Sequence, residues 1–435
     1  MSYGSYRPNT AENEMILRIT TVPGILVEKL CQAAYNTLET FRKRKSLRKV
    51  CMPDNKGVTE TVAPVASQQA QQQTSGWKDT LQLVFNQGGP GFSHFAITNL
   101  CDAHCGFCGF AVGKLKASDM KSVSLQDGLD CIDILYRNGI RYLIFVGGEP
   151  LLHKDLLTFI AHARAKGMTP LVSTNGSHLT PELIHRMKDA GLASVIISVD
   201  APSVALHEKN RGLSGLCDKI AAANRVLNEI KLQTTASVTV SKLITYDDYD
   251  LLPAFLKSLG FEEVTFSYPL EYLKSSYLSF SENGLVHFTA DELVTIFEKL
   301  KTLKSKIAVL NNTISLGEMQ KFLLGKPQHF GCLGGYRYFY VDWNLDVYRC
   351  HYWSQPMCKI SEFGPDKLIR DNCQLCMIDC YRDPSVLQHI AVSLTDANHF
   401  WQAGKYRQAL GAIFRKTNYW SLKAVIEQMN WIRKM

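Results

Sequence analysis

The sequence contains no apolar run that approaches the ~20 residues a helix needs to cross a bilayer. Its longest apolar runs are short, strand-like pieces such as Tyr142–Val146. The first fifteen residues also lack a cationic stretch followed by an apolar one, which is the pattern of a secretory signal. We therefore expect a cytoplasmic protein without a transmembrane helix.

Strong overall charge is also missing, because the net charge is only +8 over 435 residues. The surplus of positive charge lies at both ends of the sequence, because residues 1–60 and 400–435 are each rich in Lys and Arg. The C-terminal of these two segments also contains Trp401, Trp420 and Trp431. Such amphipathic basic segments suit peripheral contact with an anionic membrane, an acidic peptide, or packing on the body with solvated charges. No nucleic acid is expected, because no RNA- or DNA-binding module is visible.

Composition and periodicity divide the chain into six segments. We predict an amphipathic basic segment (1–60), a Gln-rich linker (61–76), a folded α/β core (77–270), a helical connector (271–330), a Cys-rich module (331–385) and a basic helical tail (386–435).

Within the core, short β-rich runs alternate with helical stretches. The predicted strands are His94–Thr98, Tyr142–Val146, Leu171–Thr174, Val195–Val199, Thr235–Val240 and Val264–Ser267. The predicted helices are Leu125–Arg137, Leu156–Lys166, Pro181–Ala190, Leu216–Ile230 and Asp248–Leu259. Six such units predict parallel β/α crossovers in a sheet or partial barrel, with functional groups at the C-terminal ends of the strands.

Three of the thirteen cysteines, Cys101, Cys105 and Cys108, lie within eight residues after the first predicted strand. Three thiolates can wrap one face of an iron–sulfur cubane and leave one iron open to an external molecule. Zinc is the alternative, but a closed zinc site requires four ligands, and His104 lies awkwardly between two of the cysteines. Thiols without any metal are the third interpretation.

The C-x3-C-x2-C spacing, with Phe107 before the last cysteine, resembles the motif of the radical S-adenosylmethionine (SAM) superfamily. The resemblance implies a partial (β/α)6, TIM-like barrel with this loop after its first strand. It also implies that the open iron binds the amino and carboxylate groups of SAM. One electron, from a donor such as a flavodoxin or ferredoxin, would then give methionine and a 5′-deoxyadenosyl radical that attacks a substrate.

Other strand ends carry residues that resemble the cofactor pocket of this family. The Gly147-Gly148-Glu149-Pro150 turn matches the position that holds the methionine amino group, and Arg211 suits a carboxylate. A capping or turn role is the alternative for the polar residues, and a buried core role is the alternative for Val240. The predicted cofactor-binding residues are Gly147, Gly148, Glu149, Thr174, Asn175, Ser198, Asp200, Arg211 and Val240.

The C-terminal module resembles the auxiliary-cluster segment of SPASM and twitch proteins, where a hairpin precedes a cysteine group. Here the hairpin runs from Asp342 to Cys350, and Leu345 occupies the usual glycine position, so a different turn is expected. We predict one auxiliary iron–sulfur cluster; zinc or structural thiols are the alternatives. The candidate ligands are Cys332, Cys350 and Cys373, with Cys376 and Cys380 competing for the fourth place and Cys358 left open.

His351 follows the hairpin cysteine, where the sulfatase-maturing branch of the family carries an acidic proton acceptor. It is therefore the candidate catalytic residue, with a buried structural histidine as the alternative. The substrate stays open between a peptide, a lipid and another small metabolite. An iron–sulfur electron-transfer or sensor protein without catalysis remains the alternative function, and a zinc-dependent structural protein is disfavoured by the six β/α units.

Overall fold

The computed structural model describes residues 76–110, 115–269 and 284–432. All of them belong to the larger of the two units into which the chain divides, Gln71–Met435. The predicted basic segment 1–60 and all but the last residue of the predicted linker lie outside the described residues, as does the start of the predicted helical connector.

Ten strands form one sheet in the order β10-β9-β8-β1-β2-β3-β4-β5-β6-β7. Strands β1 to β7 are parallel, and β8 also pairs with β1 in parallel. The strands are β1 (Gly91–Thr98), β2 (Ile140–Gly147), β3 (Thr169–Thr174), β4 (Ser194–Ser198), β5 (Gln233–Thr239), β6 (Glu263–Ser267), β7 (Ala308–Val309), β8 (Tyr338–Val341), β9 (Asp346–Tyr348) and β10 (Cys358–Lys359).

Helices occupy the crossovers between the parallel strands and the two ends of the described chain. They are α1 (Gly76–Asn86), α2 (Leu125–Arg137), α3 (Leu156–Ala165), α4 (Pro181–Asp189), α5 (Val204–Arg211), α6 (Leu216–Glu229), α7 (Leu252–Ser258), α8 (Ala290–Leu303), α9 (Thr313–Leu323), α10 (Asp379–Gln402), α11 (Tyr406–Ile413) and α12 (Lys416–Ile432). This architecture confirms the predicted α/β fold class and its run of six β/α units.

The two faces of the sheet bury different sets of side chains. Phe95 and Ile97 of β1 belong to the large core under the helices, whereas Ala96 between them packs with Val146 and Tyr340 on the opposite face. This alternation is the period of two that a strand requires. It means that residues at every second position face the interior of the partial barrel.

Local sequence signals determine where the helices begin. The hydroxyl of Ser124 accepts a hydrogen bond from the Asp127 amide at the start of α2, and that of Thr180 does the same for Leu183 at the start of α4, where Pro181 is the first helical residue. Such caps satisfy amides that have no partner within the helix. They explain why the predicted bounds of these two helices agree with the observed ones to within a residue.

The Cys-rich module continues the barrel sheet instead of forming a separate layer. Strand β8 lies beside β1 and turns back into β9, and Leu345 in that turn has a φ of 62°. A different turn was expected at this position, whereas Leu345 adopts the left-handed backbone that glycine favours. Such a conformation costs a non-glycine residue about 1–2 kcal/mol. The side chain of Leu345 packs against the large core, which opposes that cost.

The C-terminal segment is helical from Asp379, seven residues before the start of the predicted tail at residue 386. In the described part of the chain, no helix is both long and apolar enough to cross a membrane.

Candidate cofactor site at the ends of β1 to β4

The loop that carries Cys101, Cys105 and Cys108 leaves the C-terminal end of β1, as the sequence predicts. Cys105 is buried, and the other two thiols are half-buried. The amide of Cys108 donates to the carbonyl of Cys105 at 3.1 Å, and the amide of Ala103 donates to Sγ of Cys101 at 3.5 Å. The three thiols therefore share one tightly turned loop at the functional end of the sheet.

The Gly147-Gly148 turn after β2 lies directly against the entry to this loop. The Gly148 amide donates to the Thr98 carbonyl at 2.9 Å, and the Glu149 amide donates to the Leu100 carbonyl at 2.6 Å. A Cβ atom on Gly147 would lie 2.1 Å from the Thr98 oxygen, and one on Gly148 would lie 2.0 Å from the Leu100 oxygen. Only glycine allows two stretches of backbone to approach this closely.

The carboxylate of Glu149 is buried and points into the protein. It accepts hydrogen bonds from the Thr174 hydroxyl at 2.7 Å, the Asn175 amide at 2.8 Å and the Leu151 amide at 3.0 Å. Burial raises its pKa to about 7, although these hydrogen bonds act in the opposite direction. Glu149 and Thr174 therefore join the ends of β2 and β3, and their polar atoms are already occupied by protein partners.

Asp102, inside the cysteine loop, was not among the predicted site residues. Its carboxylate accepts hydrogen bonds from Asn175 Nδ2 at 2.7 Å, from the Ser177 hydroxyl at 2.7 Å and from His178 Nε2 at 3.0 Å. Burial raises the pKa of Asp102, but the bonds from Ser177 and Asn175 outweigh it, so the pKa lies below its usual value. The predicted residue Asn175 thus clamps the cysteine loop to the end of β3.

A second brace comes from the segment after β4. Arg211 donates two hydrogen bonds to Asp200, at 2.7 and 2.6 Å, and Asn210 donates a third at 2.8 Å. The same two residues also hold the cysteine loop, here as acceptors. The Arg211 carbonyl accepts from the His104 amide at 2.7 Å, and Asn210 Oδ1 accepts from the Gly106 amide at 3.2 Å. The guanidinium predicted to bind the cofactor carboxylate is therefore paired with Asp200.

Electrostatics link this buried pair to the thiols. Burial raises the pKa of Cys105 to about 12, and the positive charge of Arg211 opposes that rise. Cys101 is raised to about 12 mainly by burial, with Glu149 and the other two thiols adding to the effect. Without a metal these thiols are neutral, whereas a coordinating thiol is deprotonated outright. A metal that binds this loop must therefore displace the protons of these thiols.

We expect Asp200→Asn to lower the stability of the protein strongly. The substitution keeps the shape but leaves the buried Arg211 guanidinium without its counter-charge, which costs about 3–5 kcal/mol for a broken buried pair. The melting temperature, measured anaerobically by calorimetry, should fall by several degrees. The matched control is Asp250→Asn, which removes an exposed partner of Lys299 and Lys306 and should leave the melting temperature almost unchanged. Equal shifts in the two variants would contradict this interpretation.

The remaining predicted cofactor residues lie on different faces of the sheet. Ser198 is half-buried at the end of β4, on the opposite face from Ile197, which belongs to the large core. Val240 is fully buried within that same core. The placement of Val240 favours the core role, while Ser198 lies on the face that lines the barrel interior.

Four of the five C-terminal cysteines lie close together. The Cys332 amide donates to the Cys373 carbonyl at 2.8 Å, and a Cβ atom on Gly334 would lie within 3.6 Å of both the Cys332 Sγ and the Cys350 Cβ. Burial raises the pKa of Cys376 to about 12, and the nearby Cys332 and Cys373 add to that rise. Cys376 likewise raises the pKa of Cys350.

Cys380 packs against the same cluster of side chains as the other four, but it lies beside a carboxylate, whereas Cys358 belongs to a different core cluster. Cys380 is the second residue of α10, and its Sγ lies 3.5 Å from the Asp379 carboxylate. Burial raises its pKa well above the usual value, and the nearby Asp379 and Asp383 add to that rise. Cys358 is in β10 and packs in the large core. The geometry therefore favours Cys376 over Cys380 as the fourth member of the group.

His351, the candidate catalytic residue, is buried among rings. Its ring centre lies 4.5 Å from that of Tyr340, 5.5 Å from Tyr381 and 5.8 Å from His94. Burial, with a smaller effect from His94, lowers its pKa well below the usual value. These surroundings favour the structural alternative, since a strongly depressed pKa makes the imidazole a weak proton acceptor.

In the part of the chain that the structure describes, no three His, Cys, Asp or Glu side chains converge closely enough to hold a single metal ion.

Comparison with known proteins agrees with this site. Residues 95–251 match the family model described as the radical SAM superfamily. Among curated proteins, the chain is 27% identical to an AdoMet-dependent heme synthase of Methanosarcina barkeri, over 37% of this chain and 45% of that protein. It is 28% identical to the mycofactocin maturase MftC of Mycolicibacterium smegmatis, over 37% and 39% of the two chains. It is 27% identical to a GTP 3′,8-cyclase of Helicobacter pylori, over 51% and 70%.

The chain spans less than half the length of the heme synthases and the Fe-coproporphyrin III synthase that head these matches. The matched segment begins in β1 and ends beyond β5, so it contains the cysteine loop, the glycine turn and both braces described above. It therefore confirms the family resemblance and the cofactors predicted with it, SAM and a [4Fe–4S] cluster. Residues 95–251 form a radical SAM domain.

Proposed function

We propose that this protein is an enzyme that reductively cleaves SAM at a [4Fe–4S] cluster held by Cys101, Cys105 and Cys108. The observation that carries the proposal is the contact between the cysteine loop and the Gly147-Gly148 turn, where a Cβ atom would meet backbone oxygen at about 2 Å. The approach places this turn beside the three-cysteine loop, which is the arrangement that the resemblance implies for a cluster with SAM at its open iron. When bound, the cluster would supply one electron that splits SAM into methionine and a 5′-deoxyadenosyl radical.

The chain's own residues position that chemistry. Asn175 and Ser177 hold the loop through Asp102, and Asn210 and Arg211 hold it through the amides of Gly106 and His104. The first brace comes from the residues that follow β3, and the second comes from the end of α5, the helix after β4. Such rigid support keeps reacting groups in register, which is worth orders of magnitude in rate.

Electron paramagnetic resonance tests the first part of the proposal. The anaerobically reconstituted full chain, reduced with dithionite, should show a [4Fe–4S] signal that changes when SAM is added, because SAM ligates the open iron. Variants that keep only the auxiliary cluster, such as Cys101→Ala with Cys108→Ala, should show no such change. A wild-type signal that SAM leaves unaltered would favour the electron-transfer or sensor alternative.

We further propose that the C-terminal module is SPASM- or twitch-like and binds one auxiliary cluster through Cys332, Cys350, Cys373 and Cys376. Cys332, Cys350 and Cys376 are buried and Cys373 is half-buried, and the mutual proximity of the four supports the assignment. Arg382 supports their arrangement, because it donates to the Cys373 carbonyl at 3.0 Å and to the Phe330 carbonyl at 3.1 Å.

We expect Cys376→Ala to remove the auxiliary cluster and Cys380→Ala to retain it. The two cysteines are four positions apart, and both pack with the other thiols. Cys376 is buried and its pKa responds to Cys332 and Cys373, whereas Cys380 lies beside the Asp379 carboxylate. Iron content after reconstitution should therefore fall by about one cluster, or roughly four irons per chain, in Cys376→Ala alone. The opposite result would place the fourth ligand at Cys380 and contradict the assignment.

Peptide substrates are supported by the similarity to the mycofactocin maturases, and small metabolites by the similarity to the heme synthases and GTP cyclases. We propose a peptide or small-molecule substrate, with a lipid as the alternative if the basic termini contact a membrane. A flavodoxin or ferredoxin remains the proposed electron donor. His351 stays a predicted proton acceptor whose burial argues for a structural role.

A further inference from the structure

A cavity of about 410 Å³ lies beside the C-terminal cysteine group, outside the SAM site. Its walls include Gly331 and Asn372, which precede Cys332 and Cys373 in the chain. The other wall is α10, and Arg415, between α11 and α12, lies at its edge. Nothing in the proposed radical chemistry uses the side chains of this cavity.

The charged groups of the cavity leave an excess of positive charge. Arg370 binds both oxygens of Asp396, at 2.7 and 2.9 Å. Arg415 reaches the same carboxylate only at 3.7 Å, which is too long for a hydrogen bond. The Asp396 carboxylate therefore faces two guanidinium groups. The guanidinium of Arg415 makes no hydrogen bond to a described residue.

Two further polar side chains line the cavity. The pKa of His389 is lowered to about 4 by burial and by the charges of Arg415 and Arg370, so its ring is neutral near pH 7. Its Nε2 atom is 2.8 Å from the Thr417 hydroxyl. Ser393 is 1% exposed, and its buried hydroxyl has no hydrogen-bond partner in the described structure.

We propose that this cavity binds the phosphate group of an anionic ligand. The fork of Arg415, whose ion pair with Asp396 at 3.7 Å is too long for a hydrogen bond, supplies the paired donors that suit a phosphate, and the unpartnered Ser393 hydroxyl is an additional donor at the wall. The net charge of the cavity is positive, so an oxyanion neutralises it. Because a buried polar group without a partner costs free energy, a ligand that satisfies Ser393 recovers that cost.

The phosphate can come from a soluble metabolite or from a lipid headgroup. Phe414, adjacent to Arg415, is 80% exposed, and Tyr406 and Leu410 of α11 are about half exposed. Exposed aromatic and apolar side chains beside a cationic pocket are what a peripheral contact with an anionic bilayer requires. The experiment therefore needs one arm for each source.

Isothermal titration of the full, anaerobically purified protein with inorganic phosphate, at constant ionic strength, tests the site. Wild-type protein should bind one phosphate saturably, and Arg415→Gln should weaken binding at least about tenfold. Ser393→Ala should weaken it to a smaller extent. Lys416→Gln is the matched control, because Lys416 is the next residue, lies over Trp420 and does not line the cavity; it should bind as wild type does.

The second arm uses vesicles of phosphatidylglycerol and of phosphatidylcholine. The site would be assigned to a lipid headgroup if the wild-type protein sediments with the phosphatidylglycerol vesicles, and if inorganic phosphate and the substitution Arg415→Gln each abolish that sedimentation. Phosphate binding without vesicle binding would assign it to a soluble ligand. Absence of saturable binding in both arms, or equal phosphate affinity of wild type and Arg415→Gln, would overturn the proposal. None of these outcomes depends on SAM cleavage, so the failure of one proposal is distinct from the failure of the other.

Discussion

Gly148→Ala should lower the yield of 5′-deoxyadenosine by at least about 100-fold, since a displacement of about 1 Å near reacting groups can cost that much. The added Cβ would lie 2.0 Å from the Leu100 oxygen and 2.8 Å from the Asn99 oxygen, so the turn or the cysteine loop must move. Both neighbours are backbone atoms, which cannot rotate away as a side chain can. The displacement therefore falls on the loop that carries the three cysteines.

A matched alanine variant separates this effect from the general loss of a glycine. Gly317 lies within α9, and a Cβ built on it meets nothing within 4 Å. Gly317→Ala should keep full activity and gain slightly in stability, because alanine favours a helix interior. Circular dichroism of Gly148→Ala should show a folded barrel, since the clash is confined to the end of the sheet. If Gly148→Ala retained activity within about threefold of wild type, the close approach would have no catalytic importance.

The elements of the barrel could be predicted because each carries a local signal. Helix α2 begins after Ser124 and ends before Gly139, and its observed bounds equal the predicted ones. The six predicted strands are short β-rich runs between such helices, so their positions follow from composition and from the helices that flank them. Helix α7 shows the limit of this reasoning, since a 3₁₀ turn at Asp247–Asp250 replaces the start of the predicted Asp248–Leu259 helix.

Side-chain partners at the site were much harder to predict than the elements that carry them. Asp102 and Asn175 are 73 positions apart, and no sequence period relates them. Arg211 and Asp200 were each predicted to face the cofactor, whereas the fold pairs them with one another. Neither charged residue reveals its partner when it is read alone. Asp200 follows the end of β4, and Arg211 is the last residue of α5, the next helix.

The C-terminal module had the same difficulty. The spacing of Cys373, Cys376 and Cys380 does not show which two share a metal, because it depends on where the following helix begins. Helix α10 begins at Asp379, which places Cys380 on its first turn beside that carboxylate. Nor did the pattern reveal that β8 pairs with β1, since parallel pairing between distant strands leaves no local signature.

Cleavage of SAM by wild type and Cys105→Ala is the measurement that decides most directly whether this chain is a radical SAM enzyme. The anaerobically reconstituted full chain is incubated with dithionite and SAM, and 5′-deoxyadenosine is quantified by mass spectrometry. Cys131→Ala is the control, because Cys131 is a buried core thiol of α2, remote in sequence from both cysteine groups. It should keep its iron and its activity.

Wild type and Cys131→Ala should both release 5′-deoxyadenosine, and Cys105→Ala should release none while keeping the iron of the auxiliary cluster. The expectation follows from the geometry, because Cys105 is the buried central thiol of the loop, next to Arg211 and held by the brace from β4. Equal yields from wild type and Cys105→Ala, or no deoxyadenosine from a wild-type protein that contains its full iron, would contradict the proposed function.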